Sequence, residues 1–338
     1  MPKNVTIKDI AAEAGVSIAL VSFVMNNRIE ADGKQKYRVN ENTRQRILEV
    51  ARRLNYQPSS AARMLRRGRS MVIGAILTDI SNVFYGEIAR FLEEVASRHG
   101  YTVLFGSSYE YQEKFDRIVR TFLDRGVDGF IVVPCEGTEK SLHHILNIGI
   151  PLVIMDRKDL DIPAPKIVLD NDAAMRDAVS ILAKKGLRKI ELMSFTLRVS
   201  SIIEREEGFI ASMKEIGIPE NEIVIHRLPF ADVEAASKSI IESVLERKAE
   251  GLVCATNALS MAAIRQISAQ GARISEDIHI VGFDNSDVYG LFNPPIPHIG
   301  QPMESICDEA FGCLKKLIDN EIEQKSAVIT LKGEIQNI

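Results

Sequence analysis

The sequence lacks the features that mark membrane-spanning and exported proteins. None of its apolar runs reaches the roughly 18 residues of a membrane-spanning helix. The N-terminal stretch MPKNVTIKDIAAEAG has no apolar core and no small-residue cleavage site, so no export signal is visible. Cysteine is also scarce: the four residues form no CxxC pair, which favours buried thiols over disulfides or a metal site. We therefore expect a cytoplasmic protein.

Motifs of the common enzyme classes are absent as well. No GxGxxG follows a predicted strand, and neither the P-loop motif nor HExxH nor GxSxG occurs. His143 and His144 adjoin Leu142, Ile145 and Leu146, which indicates a helix surface rather than a metal pair. We expect neither an enzyme nor a protein with a metal or organic cofactor.

The net charge of −4 hides an uneven distribution. Residues 1–69 contain 14 Lys and Arg against 6 Asp and Glu, a local charge of +8. The other residues contain 28 basic and 40 acidic side chains, a charge of −12. A basic segment at one end of an acidic chain indicates nucleic-acid binding there, although a charged solvated face would give the same count.

The basic segment has the pattern of three short helices. Thr6 can cap a first helix, IKDIAAEA, Gly15 suits a tight turn, Ser17 can cap a second helix, and Asn40 can cap a third. Two helices joined by a short Gly-containing turn make a helix-turn-helix unit. The following residues, 57–70, predict a helix too short to be stable alone, so we interpret them as a linker that folds on binding.

From Met71 the pattern changes to apolar runs that alternate with helical segments. Continuous apolar runs of this length predict parallel strands buried on both faces, and two sets of four predict two α/β lobes. The runs are residues 71–77, 101–106, 129–134 and 151–156, then 189–194, 222–228, 251–256 and 278–283. Residues 296–301 and a helix over 303–319 follow the second set, so the chain can return to the first lobe.

Polar and aromatic residues follow several of these predicted strands. In open α/β sheets, ligands bind just beyond the carboxyl ends of the strands. Single Asp or Asn residues at such ends also cap turns and helices, and aromatic residues there also pack in the core. The candidates are Asp79, Ser81, Phe84, Tyr85, Ser107, Ser108, Asp156 and Arg157 in the first set, and Arg205, Phe230, Asn257 and Asp284 in the second.

The sequence resembles the lac repressor (LacI/GalR) family of bacterial transcription regulators over nearly its whole length. TIKDIAAEAGVS and TRQRILEVARRLNYQP are similar to the DNA-binding headpiece of that family, and RGVDGFIVVP, EREEGF and HIVGFDN to its effector-binding core. The resemblance implies an N-terminal three-helix helix-turn-helix headpiece and a two-lobed α/β core with parallel sheets, like a periplasmic binding protein. It also implies a homodimer that binds a near-palindromic operator on double-stranded DNA, and a small-molecule effector of carbohydrate type between the lobes.

The expected boundaries follow from this resemblance. The headpiece is 1–57, the hinge helix or linker 58–69, and the effector-binding core 70–338. Within the core we expect a first lobe of about 70–168 and 297–325, and a second of about 169–296 and 326–338. The resemblance implies effector contacts at Phe84, Tyr85, Ser108, Asp156, Ser201, Arg205, Phe230, Asn257 and Asp284. Ala258 departs from the Asn-Asp pair that many family members have there.

DNA contacts are likewise implied by the resemblance, with Leu65 as an apolar wedge in the minor groove. The expected contact residues are Thr6, Ser17, Ile18, Ala19, Ser22, Phe23, Asn26, Arg44, Ser59, Ala62, Leu65 and Arg66. Unlike many family members, this chain has apolar Ile18, Ala19 and Phe23 at base-reading positions. The hypothesis is that these outward residues contact thymine methyl groups in A/T-rich half-sites. The alternative is that they pack against the long basic segment 28–39.

Two other functions are considered. A solute-binding protein without DNA function would need export and no basic segment, and an enzyme joined to a DNA-binding domain would need a catalytic motif. We therefore expect a repressor whose operator affinity a metabolite controls, with phosphate contacts from Arg44, Arg46, Arg63, Arg66 and the basic segment.

Overall fold

A computed structural model describes residues 5–25, 39–56 and 68–337. The chain divides into two compact units, Met1–Ser70 and Met71–Ile338. The first unit contains the headpiece and the linker, and the second is the core. Of the predicted DNA contacts, Asn26, Ser59, Ala62, Leu65 and Arg66 lie outside the described residues, as do Arg63 and most of the segment 28–39 and of the linker.

The headpiece contains the three helices that the sequence predicts: α1 Ile7–Ala14, α2 Ile18–Met25 and α3 Glu41–Arg53. Gly15 ends α1 in the left-handed region, at φ 62°, a conformation that costs glycine little. The side chain of Asn40 accepts a hydrogen bond from the Asn42 amide and so caps α3. The helices bury apolar side chains at helical spacing, including Ile10, Val21 and Ile47.

Phe23 departs from the expected outward orientation. Its side chain is 7% exposed and belongs to the headpiece core with Val21 and Val24. The apolar residues of α2 surround the whole helix, so periodicity could not identify a buried face. Phe23 lies three positions after Leu20, which places it at the border of the face that packs on α1 and α3, and burial removes its large ring from water. Phe23 is therefore not an outward-facing base-reading residue in this structure.

The core consists of two α/β lobes, as predicted, and each lobe has a six-stranded sheet where the apolar runs predict four strands. The first sheet has the order β11-β5-β4-β3-β1-β2 and is parallel throughout. Helices α4 Val83–Arg98 and α11 Met303–Ile318 share an apolar cluster with one of its faces. Its strands are β1 Val72–Leu77, β2 Thr102–Ser107, β3 Gly129–Val132, β4 Leu152–Met155, β5 Pro165–Leu169 and β11 Ala327–Leu331, and its other helices are α5 Gln112–Asp124 and α6 Glu139–Asn147.

The second sheet repeats this arrangement in the order β12-β10-β9-β8-β6-β7, and only β12 is antiparallel to its neighbour. Its strands are β6 Ile190–Phe195, β7 Val224–Leu228, β8 Gly251–Cys254, β9 His279–Phe283, β10 His298–Gly300 and β12 Glu334–Gln336. Its helices are α7 Asn171–Lys184, α8 Ser200–Glu215, α9 Val233–Glu246 and α10 Asn257–Ala269. Within the described part of the chain, no helix is long and apolar enough to cross a membrane.

Two of the lobe crossings differ from the expected boundaries. The chain was expected to leave the second lobe after residue 296, but β10 pairs with β9 of the second sheet, so the crossing follows Gly300. The final return was expected after 325, but β11 pairs with β5 of the first sheet, so it follows Leu331. Both strands are short and β11 is partly exposed, so neither has the long apolar run that marks the buried strands.

Candidate functional site

The strand order places a crevice at the same point of each sheet. In both lobes the second strand lies on one side of the first and the third strand on the other, so the connections diverge between β1 and β3, and between β6 and β8. Ligands of open α/β sheets bind at such switch points, beyond the carboxyl ends of the strands. A cavity of about 60 Å³ lies there, between the two lobes of the core.

Seven of the nine predicted effector residues line this cavity, and they come from both lobes: Phe84, Tyr85, Asp156, Ser201, Arg205, Phe230 and Asp284. The other two do not line it. Ser108, just after β2 of the first lobe, is fully buried, and Asn257 is buried at the start of α10. Thr256, the residue before Asn257, is the one that reaches the cavity, and its hydroxyl accepts a hydrogen bond from the Leu259 amide.

Three charged residues form the first-lobe wall of the cavity: Glu110, Asp156 and Arg157. Arg157 Nη1 donates to Glu110 Oε2 at 2.9 Å, and Nη2 donates to Oε1 of the same carboxylate. Arg157 Nη1 also donates to the carbonyl of Pro134, and Nε lies 3.8 Å from Asp156 Oδ2. Burial alone would lower the pKa of Arg157, but its hydrogen bonds to Glu110 raise it, so the guanidinium stays charged.

Tyr85 lies beside this wall, on α4. Its hydroxyl is 3.3 Å from Asp156 Oδ2 and donates to that carboxylate. Burial and the neighbouring Asp156 charge raise the pKa of Tyr85 well above its ordinary value, so the phenol is a hydrogen-bond donor at neutral pH. Phe84 packs edge-on against the Tyr85 ring, with ring centroids 4.8 Å apart. A polar ligand therefore meets an oxygen acceptor and an aromatic surface side by side.

Arg205 and Asp284 form the second-lobe wall. Arg205 Nε donates to Asn171 Oδ1 at 2.8 Å, and Nη1 donates to the Ala255 carbonyl at 2.7 Å. Its guanidinium carbon lies 3.9 Å from the centre of the Phe283 ring. The side chain is 3% exposed, and its hydrogen-bond partners are uncharged oxygens, which hold the planar guanidinium in one orientation.

Gly208 makes this position of Arg205 possible. A side chain at Gly208 on α8 would begin 2.8 Å from the Asp172 carbonyl oxygen of α7, so glycine is needed for the close approach of these helices. The approach brings Asn171, at the start of α7, to the Arg205 side chain. The motif EREEGF therefore has a packing role as well as a candidate ligand residue.

Asp284 has a left-handed backbone, at φ 64°, and each oxygen of its carboxylate accepts one hydrogen bond. Its Oδ2 accepts from the Asn257 amide at 3.0 Å, and its Oδ1 accepts from Gln301 Nε2 at 2.7 Å. Burial raises the pKa of Asp284, and the opposing effect of Arg205 and these hydrogen bonds is smaller. Gln301 lies on the second crossing between the lobes, so the cavity contacts the connection as well as both sheets.

Direct contacts also join the lobes beside the cavity. The Ser200 amide, at the N-terminus of α8, donates to Asp159 Oδ1 at 3.3 Å, and the Lys158 amide donates to Ser200 Oγ at 2.9 Å. Lys158 Nζ lies 2.9 Å from Glu204 Oε1. Asp159 and Lys158 belong to the first lobe, between β4 and β5, so these contacts hold the two walls together. We call them the interlobe clasp.

The headpiece presents a separate set of candidate residues. Ile18 is 44% exposed, Ala19 and Ser17 are exposed, and Ser22 and Arg44 are half-buried. Ser17 Oγ accepts from the Leu20 amide at 3.2 Å, and the Thr6 hydroxyl donates to Asp9 at 2.7 Å. The exposed start of α2 therefore carries a small apolar surface, formed by Ile18 and Ala19, beside polar helix-capping groups.

Comparison with known proteins identifies both units. Residues 6–59 match the family of bacterial regulatory proteins called the lacI family. Residues 70–335 match the model of periplasmic binding proteins and the sugar binding domain of the LacI family. The chain belongs to the LacI family. It is a DNA-binding transcription regulator with an effector-binding core, and members of this family are not enzymes.

Characterised LacI-family proteins are similar to this chain over nearly its whole length. The HTH-type transcriptional regulator RegA of Clostridium saccharobutylicum is 30% identical over 327 residues, which is 96% of each chain. Catabolite control protein A of Priestia megaterium is 29% identical over 329 residues, again 96% of each chain. The crystal structure of the lac repressor dimer bound to operator and the anti-inducer ONPF has the same fold, with a TM-score of 0.82, 21% identity and 98% of each chain covered.

Several cavity residues of this LacI-family protein are not among those that the sequence predicts. Glu110 and Gln301 contribute charged or polar groups, and Thr78, Asn82, Phe195, Leu197, Val199, Ile202 and Thr256 complete the lining. Arg157, in contrast, is among the strand-end candidates that the sequence predicts. Phe195 ends β6 and its ring lies 5.4 Å from that of Phe230, so the strand-end rule could have found it. Glu110 lies in the turn after β2, and Gln301 lies on the second crossing between the lobes. No local sequence pattern predicts the path of these segments or the direction of their side chains.

Proposed function

We propose that this regulator represses transcription under the control of a small, polyhydroxylated effector of carbohydrate type bound in the cavity between the lobes. The observation that carries the proposal is the meeting of Asp156, Arg205 and Asp284 with aromatic rings in one buried crevice. Carboxylate and guanidinium groups hydrogen-bond hydroxyls in fixed directions, and the aromatic rings pack against the apolar face of a sugar ring. The match to the sugar binding domain of the family supports this ligand class.

We assign seven residues to direct effector contact: Phe84, Tyr85, Asp156, Ser201, Arg205, Phe230 and Asp284. Ser108 and Asn257 act from behind the cavity surface. Asn257 does so through its amide, which orients Asp284. Because the cavity volume is well below the roughly 300–1,000 Å³ of ordinary ligand sites, effector entry requires the lobes to move apart. The effector therefore binds one arrangement of the lobes more tightly than the other and shifts the equilibrium between them. This difference in effector affinity between the two arrangements controls operator binding.

A ligand screen tests the effector role. Thermal unfolding of the full chain is followed with single carbohydrates and nucleobases, and hits are measured by titration calorimetry with wild type and Arg205→Ala. We expect a carbohydrate to stabilise the wild type and the variant to lose that response. Arg265→Ala, an exposed arginine of the same lobe paired with Glu234, is the matched control and keeps it. Stabilisation by nucleobases alone would reject the carbohydrate assignment.

At the headpiece, we propose that Ile18 and Ala19 contact thymine methyl groups in the major groove, with Ser17 and Ser22 beside them and phosphate contacts from Arg44 and Arg46. The apolar exposed start of α2 supports this hypothesis. We also propose a DNA contact by Thr6, which lies at the N-terminus of α1. For Ser59, Ala62, Leu65 and Arg66 of the linker, DNA contacts remain part of the proposal. We also propose a homodimer that presents two headpieces to a near-palindromic operator, and the structure of a lac repressor dimer bound to operator supports the dimer.

Selection of binding sites from random duplex DNA tests this proposal. We expect thymine-rich half-sites in a near-palindromic arrangement, and weaker enrichment of thymine with Ile18→Ser. Half-sites without thymine enrichment would reject the methyl-contact hypothesis, and failure to bind any duplex at low ionic strength would reject the regulator function. Light scattering of the free protein measures whether it is a dimer.

A further inference from the structure

The loop that carries Glu110 has an unusual backbone. Tyr109 and Glu110 both have positive φ, 53° and 61°, and the Tyr111 amide donates to the Ser108 carbonyl at 3.0 Å. Two successive positive φ values in a turn closed this way are ordinarily adopted by glycine and asparagine, because a side chain is strained there. Strain of this kind persists where the surrounding structure imposes it, and it concentrates at functional sites.

Contacts on both sides hold this turn in place. The Tyr109 amide donates to the Thr78 carbonyl at 2.7 Å, which ties the turn to the end of β1. The ammonium group of Lys114 on α5 lies 4.3 Å from the centre of the Tyr109 ring and 5.3 Å from that of Tyr111. The result is that Glu110 projects into the cavity and both of its carboxylate oxygens accept from Arg157.

The Glu110–Arg157 ion pair determines the charge that a ligand meets in the cavity. The lining contains three carboxylates, Glu110, Asp156 and Asp284, and two guanidinium groups, Arg157 and Arg205. On the first-lobe wall, Asp156 and Arg157 alone would balance. With Glu110 the carboxylates outnumber the guanidinium on this wall, and Arg157 is already paired twice with the Glu110 carboxylate. A phosphate or carboxylate on a ligand would therefore meet repulsion and no uncompensated cation on the first-lobe wall.

We propose that Glu110 is a specificity-determining residue that restricts this cavity to uncharged polyhydroxylated effectors and excludes their phosphorylated and acidic counterparts. This inference rests on the effector role of the cavity proposed above. Arg157 is a latent anion-binding group, neutralised by the carboxylate that the Tyr109–Glu110 turn supplies. A phosphorylated or acidic analogue is excluded because its negative charge would lie beside buried carboxylates of the cavity. Binding sites reject close analogues by such unfavourable contacts.

The decisive experiment converts Arg157 into an available cation. Glu110→Gln keeps the shape of the side chain and removes its charge, so inorganic phosphate should stabilise this variant and bind it at least tenfold more tightly than it binds wild type. Thermal unfolding and calorimetry are run at matched ionic strength, with sodium chloride replacing phosphate. Any phosphate bound by the basic headpiece is the same in all variants and is subtracted by this comparison.

Two controls separate the charge effect from a general one. Glu113→Gln removes an exposed carboxylate three residues away and should respond to phosphate as wild type does. The double variant Glu110→Gln with Arg157→Gln lacks the latent cation and should lose the gain. If Glu110→Gln does not fold, Glu110→Asp pairs less closely with the guanidinium and should show a smaller gain in the same direction.

Equal phosphate affinity in wild type and the foldable Glu110 variant would overturn the proposal. So would a wild-type protein that binds glucose phosphate or ribose phosphate more tightly than the parent sugar. These titrations contain no DNA. If Glu110→Gln gains phosphate affinity but the protein binds no duplex DNA, the regulatory function is rejected and the specificity role of Glu110 is retained.

Discussion

The two walls of the cavity each present a buried arginine, but they hold it in opposite ways. Arg157 of the first lobe is paired with the Glu110 carboxylate, whereas Arg205 of the second lobe donates to the uncharged Asn171 amide oxygen and the Ala255 carbonyl. A charged partner cancels the charge that a ligand meets, and neutral partners orient the guanidinium without cancelling it. We therefore propose that Arg205 contacts the effector and that Arg157 shapes the wall.

Breaking the Glu110–Arg157 pair should have the largest effect on stability. Removal of either partner, by Glu110→Leu or Arg157→Met, leaves an uncompensated buried charge and should cost about 3–5 kcal/mol of unfolding free energy. The double variant removes both charges and should cost much less than the sum of the single losses. Denaturant unfolding of all three variants measures this coupling. Additive losses would show that the two residues do not act as a pair.

Removal of Arg205 should weaken effector binding most. Arg205→Ala removes the charged donor that the second-lobe wall presents to the effector, and we expect effector affinity to fall by about 1.5–3 kcal/mol. Calorimetry with the effector from the ligand screen measures the loss. The exposed Arg265→Ala variant should bind as wild type does. If Arg157→Met weakened effector binding more than Arg205→Ala, the assigned roles of the two walls would be reversed.

Titration of Asp284, on the second-lobe wall, should make the free energy of unfolding depend on pH. Because burial raises the native pKa of Asp284, the folded state holds this proton more tightly than the unfolded state. Wild type should therefore lose stability as pH rises above the ordinary Asp pKa of about 3.9, up to the raised native pKa. Asp284→Asn lacks this loss, so its unfolding free energy relative to wild type should increase over that pH interval. Denaturant unfolding across the interval measures it, and parallel pH profiles would contradict it.

The interlobe clasp should give the smallest effect. Lys158 is partly exposed, so the Lys158→Ala variant should lose no more than about 1 kcal/mol of stability, and Asp159→Ala should remove one acceptor at the start of α8. Both variants should weaken effector affinity a few-fold, because the closed arrangement of the walls is less favourable. Lys214→Ala breaks an ion pair within the second lobe and should leave affinity unchanged. A large loss with Lys214→Ala would point to general destabilisation.

Much of the site could be predicted because strand ends have a local signature. Phe84, Asp156 and Asp284 follow or lie near the ends of apolar runs, and parallel strands bring their carboxyl ends to one edge. Ser108 and Asn257 have the same signature and lie behind the surface, since the rule locates the backbone but not the direction of a side chain. Glu110 had no signature, because its direction depends on two positive φ values that Tyr and Glu seldom adopt.

The helix-turn-helix headpiece, the two α/β lobes and most strand positions can be predicted from the sequence, because helix caps, periodicity and apolar runs are properties of neighbouring residues. The burial of Phe23, the placement of β10 and β11 in opposite lobes from those expected and the pairing of Glu110 with Arg157 are visible only in the folded chain. These features arise from contacts between residues distant along the chain, and such contacts depend on the direction of a loop or the partner of a short strand.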